Sequence, residues 1–99
     1  MWRLHEESEG RSKEENALEL KSRLEKLVGV IPEICSLEVG INVTELGASS
    51  DVVLYSEFAD REALEQYRKH PQHLALIEFL DGVRSEMRVV DYEVQDVKS

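Results

Sequence analysis

Ninety-nine residues make one domain, because a chain of this size buries only about two-thirds of its unfolded surface and has no material for a second core. With 12 Lys and Arg against 21 Asp and Glu the formal charge is −9, a balance that repels phosphate backbones and anionic lipid and argues against nucleic-acid and membrane partners. No run approaches the roughly 18 apolar residues of a membrane span, and the opening residues lack the basic-then-apolar order of a signal peptide, which predicts a soluble, cytoplasmic protein.

Met1 to Leu4 has strand character but gives way at once to the charged run His5-Glu6-Glu7-Ser8-Glu9, so it reads as the tail of a strand, with His5 a solvated loop residue. Ser12 followed by Glu15 fits a capping box and predicts a helix over Lys13 to Val28. Its apolar positions Ala17, Leu20, Leu24, Leu27 and Val28 share one face, with Leu18 at the edge, and Glu19 with Arg23 forms an i,i+4 pair on the solvated side. Gly29 and Pro32 stop this helix.

From Cys35 to Val43 residues alternate, placing Cys35, Leu37, Val39, Ile41 and Val43 on the buried side of a strand. The lone thiol of Cys35 is therefore expected to be buried, and it has no partner for an intrachain disulfide. Gly47 to Asp51 is loop chemistry, and Val52 to Phe58 is apolar on both faces, the mark of a central strand antiparallel to the one before. Asp60 caps a second helix through Ala63, Leu64 and Tyr67, broken at Pro71. A third helix starts on that proline and carries Leu74, Leu76, Ile77, Phe79, Leu80 and Val83, and Met87 to Val94 alternates as a last strand.

The order β-α-β-β-α-α-β predicts an α+β, ferredoxin-like fold: a split β-α-β-β-α-β antiparallel sheet with its helices on one face. The other face stays open, and strands apolar on both sides call for cover, which a second copy of the sheet would supply. A homodimer through the open sheet face, closing into a barrel, is the expected assembly.

Four blocks, Pro32-Glu33-Ile34-Cys35-Ser36-Leu37-Glu38-Val39-Gly40, Asp51 to Phe58, Tyr67-Arg68-Lys69-His70-Pro71-Gln72-His73 and Val89-Val90-Asp91-Tyr92, resemble those of the stress-responsive A/B barrel (Dabb) family in the family's own order. The resemblance covers Met1 to Val94, with Tyr-x-x-His-Pro-x-His its most specific part. It implies a dimeric α/β barrel, in a family whose members are often of unassigned role and in some cases linked to stress. A few are polyketide cyclases in which the tyrosine and last histidine of that block act at the active site, which implies Tyr67 and His73 here. The family's first strand usually carries a basic residue and a histidine ahead of the segment that Met-Trp-Arg-Leu matches. Their absence suggests a first strand truncated at the N-terminus, or a member without that histidine.

Tyr67 and His73 straddle the helix break, so both can converge on one cavity, where a histidine can take a proton α to a carbonyl and a phenol can hydrogen-bond the enolate. His70, at the joint, is read either as a bridge between backbone groups or as a further pocket residue, and Trp2 and Tyr55 as pocket-lining or packing aromatics. His70 and His73 lack a third ligand at suitable spacing, so neither a metal nor a cofactor is expected. Three functions follow: a ligand-binding dimer with a pocket lined by Tyr67 and His73; a polyketide-cyclase-like or isomerase-like enzyme with His73 as base and Tyr67 as enolate stabiliser; and, on fold analogy alone, a cofactor-free or haem-handling monooxygenase.

Overall fold

A computed structural model describes residues 1–44 and 50–94. The main sheet has β1 (Trp2–Leu4), β4 (Ile34–Ile41), β5 (Val52–Phe58) and β6 (Arg84–Met87) in the order β4-β5-β1-β6. All its pairings are antiparallel. Around it lie α1 (Lys13–Lys26), a 3-10 turn (Leu27–Gly29), α2 (Arg61–Lys69) and α3 (Pro71–Val83). This is the ferredoxin-like α+β arrangement with the helices on one face.

Burial reports the two faces directly. In the pairing of β4 with β5, Val39 lies opposite Leu54 and Ile41 opposite Val52, and these residues join Trp2, Leu4, Leu20, Leu24, Leu80 and Val83 in the core. The alternate residues Glu38, Val53, Tyr55 and Glu57 are exposed on the far face. Leu20 and Leu24 are almost completely buried, and each such side chain contributes roughly 1.5–3 kcal/mol relative to exposure. The far face is more polar than the sequence pattern suggests, because only β5 presents apolar groups there, Val53 and Tyr55, whereas β4 presents Ser36, Glu38 and Gly40.

The helix boundaries follow local chemistry. The Ser12 hydroxyl accepts from Glu15 N–H, and Ser12 N–H donates to the Glu15 carboxylate, both at 3.2 Å. Asp60 accepts from Ala63 N–H at 2.8 Å, and Arg23 donates to Glu19 at 2.8 Å. Val28, expected on the buried stripe, is half exposed because the α-helix has by then tightened into the 3-10 turn.

The charged run after β1 is not a plain loop. Glu7–Ser8 (β2) pairs with Arg11–Ser12 (β3), and the two residues between them, Glu9 and Gly10, have φ of 53° and 77°, the two positive values that a type I′ turn requires. The buried Asn16 side chain donates to the Ser8 carbonyl at 3.3 Å and ties this hairpin to α1.

Three expectations are corrected. Cys35 is exposed, because the β4–β5 register shifts between Ile34 and Ser36. That bulge turns Ile34 into the core and leaves Cys35 as the surplus residue. Val43 lies beyond the end of β4 and is exposed. The last strand spans Arg84–Met87, earlier and shorter than the alternation over Met87 to Val94 predicts. Val89, Val90, Tyr92 and Val94 are exposed outside it. Of the expected loop, Gly47 to Ser49 lies outside the described residues.

Candidate functional site

The joint between α2 and α3 is built by His70 and Pro71. His70 ends α2, its backbone N–H donating to the Tyr67 carbonyl at 3.2 Å. It also starts α3, its Nδ1 accepting from Gln72 N–H at 3.1 Å. Pro71 occupies the first turn of α3, where a missing N–H costs nothing. His70 thus bridges backbone groups as one of its two readings required.

This joint brings Tyr67 and His73 together. Their ring centroids are 4.4 Å apart with planes inclined at 51°, and Phe58, from the end of β5, also packs against Tyr67 at 4.9 Å. Tyr67 is buried, and burial pushes its phenol up to about 12. The phenol therefore keeps its proton across the physiological range and is available as a donor.

His73 has a defined tautomer. Its Nδ1 lies 3.2 Å from the Arg68 carbonyl, an oxygen that can only accept, so Nδ1 carries the proton and Nε2 is the basic nitrogen. Burial lowers its pKa, and the hydrogen bond to the Arg68 carbonyl only partly opposes that. Neutral imidazole is favoured, as a proton acceptor requires.

The other two aromatics are not gathered here. Trp2 and Tyr55 lie on opposite faces of the sheet. Trp2 pairs with the inward residue Val52 and is buried, and its Nε1 has no hydrogen-bond partner among the described residues. Tyr55 pairs with Glu38 on the open face and donates to Glu57 at 2.9 Å. Its phenol is pushed up to about 12, first by Glu57 and then by Tyr92. A groove of about 160 Å³ between α1 and α3 is bordered by Arg23, Lys26, Leu27, Val30, Gln72 and Leu76, and neither Tyr67 nor His73 lines it. Among the described residues no cluster of His, Cys, Asp and Glu could hold a metal ion, and no helix is long and apolar enough to cross a membrane.

Sequence reasoning did not identify Phe58 as the third ring of the cluster. The residue closes a strand, and only the fold brings it under α2.

Sheet order and helix placement define the class, a ferredoxin-like α+β domain with paired Tyr and His side chains at a helix joint. Residues 1–94 match the model of the stress responsive A/B barrel domain, and the chain belongs to that family. Three solved structures are similar. A dimeric protein of unknown function with a ferredoxin-like fold from Bacteroides fragilis has 29% identity and a TM-score of 0.77, over 94% of this chain and 89% of that one. A dimeric ferredoxin-like protein of unknown function from Jannaschia has 26% identity and a TM-score of 0.68, over 89% and 91% of the two chains. An Arabidopsis thaliana protein has 24% identity and a TM-score of 0.76, over 97% and 94%. No curated protein matches the chain.

Proposed function

We propose that the protein is a homodimer that binds a small organic ligand beside the Tyr67–His73 pair. The observation that carries the site is the 4.4 Å ring contact together with the Arg68 carbonyl that holds the His73 proton on Nδ1. A surface histidine kept only for solubility has no need of a fixed tautomer. The ligand reading is tested by releasing small molecules from purified protein by denaturation and comparing wild type with His73→Ala and Tyr67→Phe by mass spectrometry. A compound retained by the wild type and lost from both variants is the expected result. Equal retention by all three would sink the site.

The same geometry supports a second reading, a polyketide-cyclase-like or isomerase-like activity on a carbonyl compound. Nε2 of His73 would take a proton from the carbon α to the carbonyl, the electron pair would move to the carbonyl oxygen, and the protonated Tyr67 would hydrogen-bond that oxygen. Solvent deuterium exchange into a simple β-diketone, followed by NMR, tests this. An exchange rate unaffected by His73→Ala removes the enzyme reading and leaves the binding one.

The dimer is supported by the dimeric neighbours at 29% and 26% identity. Its interface is the open sheet face, where Val53 and Tyr55 are exposed. Glu38 and Glu57 share that face, so two copies approach with like charges opposed and salt should tighten the association by screening them. Sedimentation that finds weaker association as salt rises rules this face out.

A further inference from the structure

The groove between α1 and α3 stands apart from Tyr67 and His73. Its apolar lining includes Leu27 and Leu76, both buried, with Val30 half exposed beside them. Its polar border is Arg23, Lys26 and Gln72. The chain carries 21 Asp and Glu in 99 residues, yet the described residues that border this groove include two cations and no carboxylate. The contrast sets the sign of the local field, because salt at physiological strength screens exposed charges beyond about 8 Å.

Arg23 is held in place at the mouth of the groove. Its Nε donates to Glu19 at 2.8 Å, and its Cζ lies 4.0 Å from the centre of the Phe79 ring. These two contacts fix the guanidinium plane and engage one of its five N–H donors. Glu19 does not cancel the cations around it. Arg11 approaches its other oxygen at 3.9 Å. The Glu19 carboxyl is held below its ordinary range, first by the hydrogen bond from Arg23 and further by the charges of Arg23, Arg11 and Lys26, with desolvation opposing them. Three cations thus share one carboxylate. Basic residues in the last turn of a helix, as Arg23 and Lys26 are in α1, commonly offset its negative end, but that role asks for no apolar groove beside them.

We propose that this groove binds a small organic carboxylate with a short apolar body, its oxygens on Arg23 and Lys26 and its body on Leu27, Val30 and Leu76. A guanidinium fork matches the two oxygens of a carboxylate in one plane, and Lys26 adds a point charge. The Gln72 side-chain amide can donate to the same group. The volume of about 160 Å³ is below the roughly 300–1,000 Å³ of pockets that take drug-sized ligands, which limits the body to a few carbons. Neither Tyr67 nor His73 lines the groove, so this site and the one beside that pair stand or fall separately.

Titrating the isotope-labelled whole chain with hexanoate, hexanol and inorganic phosphate at constant ionic strength, read by amide NMR shifts, tests the proposal. Hexanoate should give saturable shifts centred on Lys26, Leu27, Val30 and Leu76, and hexanol and phosphate should each bind about tenfold more weakly or less. Arg23→Lys keeps the charge but loses the planar fork, so it should weaken hexanoate by about tenfold with far-UV circular dichroism unchanged. Hexanol that binds as tightly as hexanoate overturns the role of the cations, and phosphate that does so overturns the role of the apolar lining. Hexanoate shifts centred on Phe58 and Tyr67 move the ligand to the other site and overturn the groove. A wild type that shows no saturation at millimolar hexanoate overturns the proposal outright, and that result needs no variant to fold.

Discussion

Replacing Tyr67 by Ala and by Phe separates packing from chemistry. The ring is buried and packs against Phe58 at 4.9 Å and His73 at 4.4 Å. Truncation to Ala removes a core aromatic, a change that costs about 3–5 kcal/mol, of which ~0.5–1.5 kcal/mol belongs to each ring pair. Tyr67→Phe keeps the ring and both contacts and should cost less than about 1.5 kcal/mol, as volume-conserving swaps do. Urea unfolding followed by far-UV circular dichroism measures both, with the slope unchanged if the native state is intact. Because Tyr67→Phe stays folded, loss of ligand in that variant reports the hydroxyl alone. A cost below about 1 kcal/mol for Tyr67→Ala would refute the placement of this ring in the core, and with it the site built around it.

Three further outcomes follow from the contacts. Asp51 accepts from Leu4 N–H at 2.8 Å, beside the β1 bulge, and lies 3.6 Å from Lys13 Nζ. Asp51→Ala should cost about 1–3 kcal/mol because it strands that donor, and Asp51→Asn should recover most of the loss; an Asn as harmful as Ala would assign the effect to the Lys13 charge instead. The lowered pKa of His73, caused first by burial, means that the unfolded chain binds this proton more readily than the folded one. Its contribution to stability is complete above the unfolded value near 6.5 and is lost as pH falls through the lower folded value; His73→Gln should flatten that part of a stability-against-pH curve, and an unchanged curve refutes it. Cys35 is exposed, so a thiol reagent should label the native protein without denaturant, and labelling that waits for unfolding would contradict the bulge at Ile34.

The fold was legible because its signals are local and agree with one another. The capping box at Ser12 and Glu15, the Asp60 cap, the His70-Pro71 joint and the alternation of β4 and β5 each fix an element within a few residues. Element order then restricts the topology to the split β-α-β-β-α-β sheet. Tyr67 and His73 were legible for the same reason, since a helix break at a fixed spacing is a local feature.

What the sequence could not decide depends on partners distant in the chain. Alternation places Cys35 inside, but a register shift against β5 puts it outside, and bulges are set by the opposite strand. Alternation extends the last strand to Val94, but a strand exists only where another backbone pairs with it. Among the described residues β1 pairs with β6 over Arg84 to Met87. Trp2 and Tyr55, both apparent candidates for the site, are parted to opposite faces of the sheet by the register at Val52. Residue chemistry determined the elements and the Tyr–His pair, whereas tertiary pairing decided which faces are covered and which thiol is exposed.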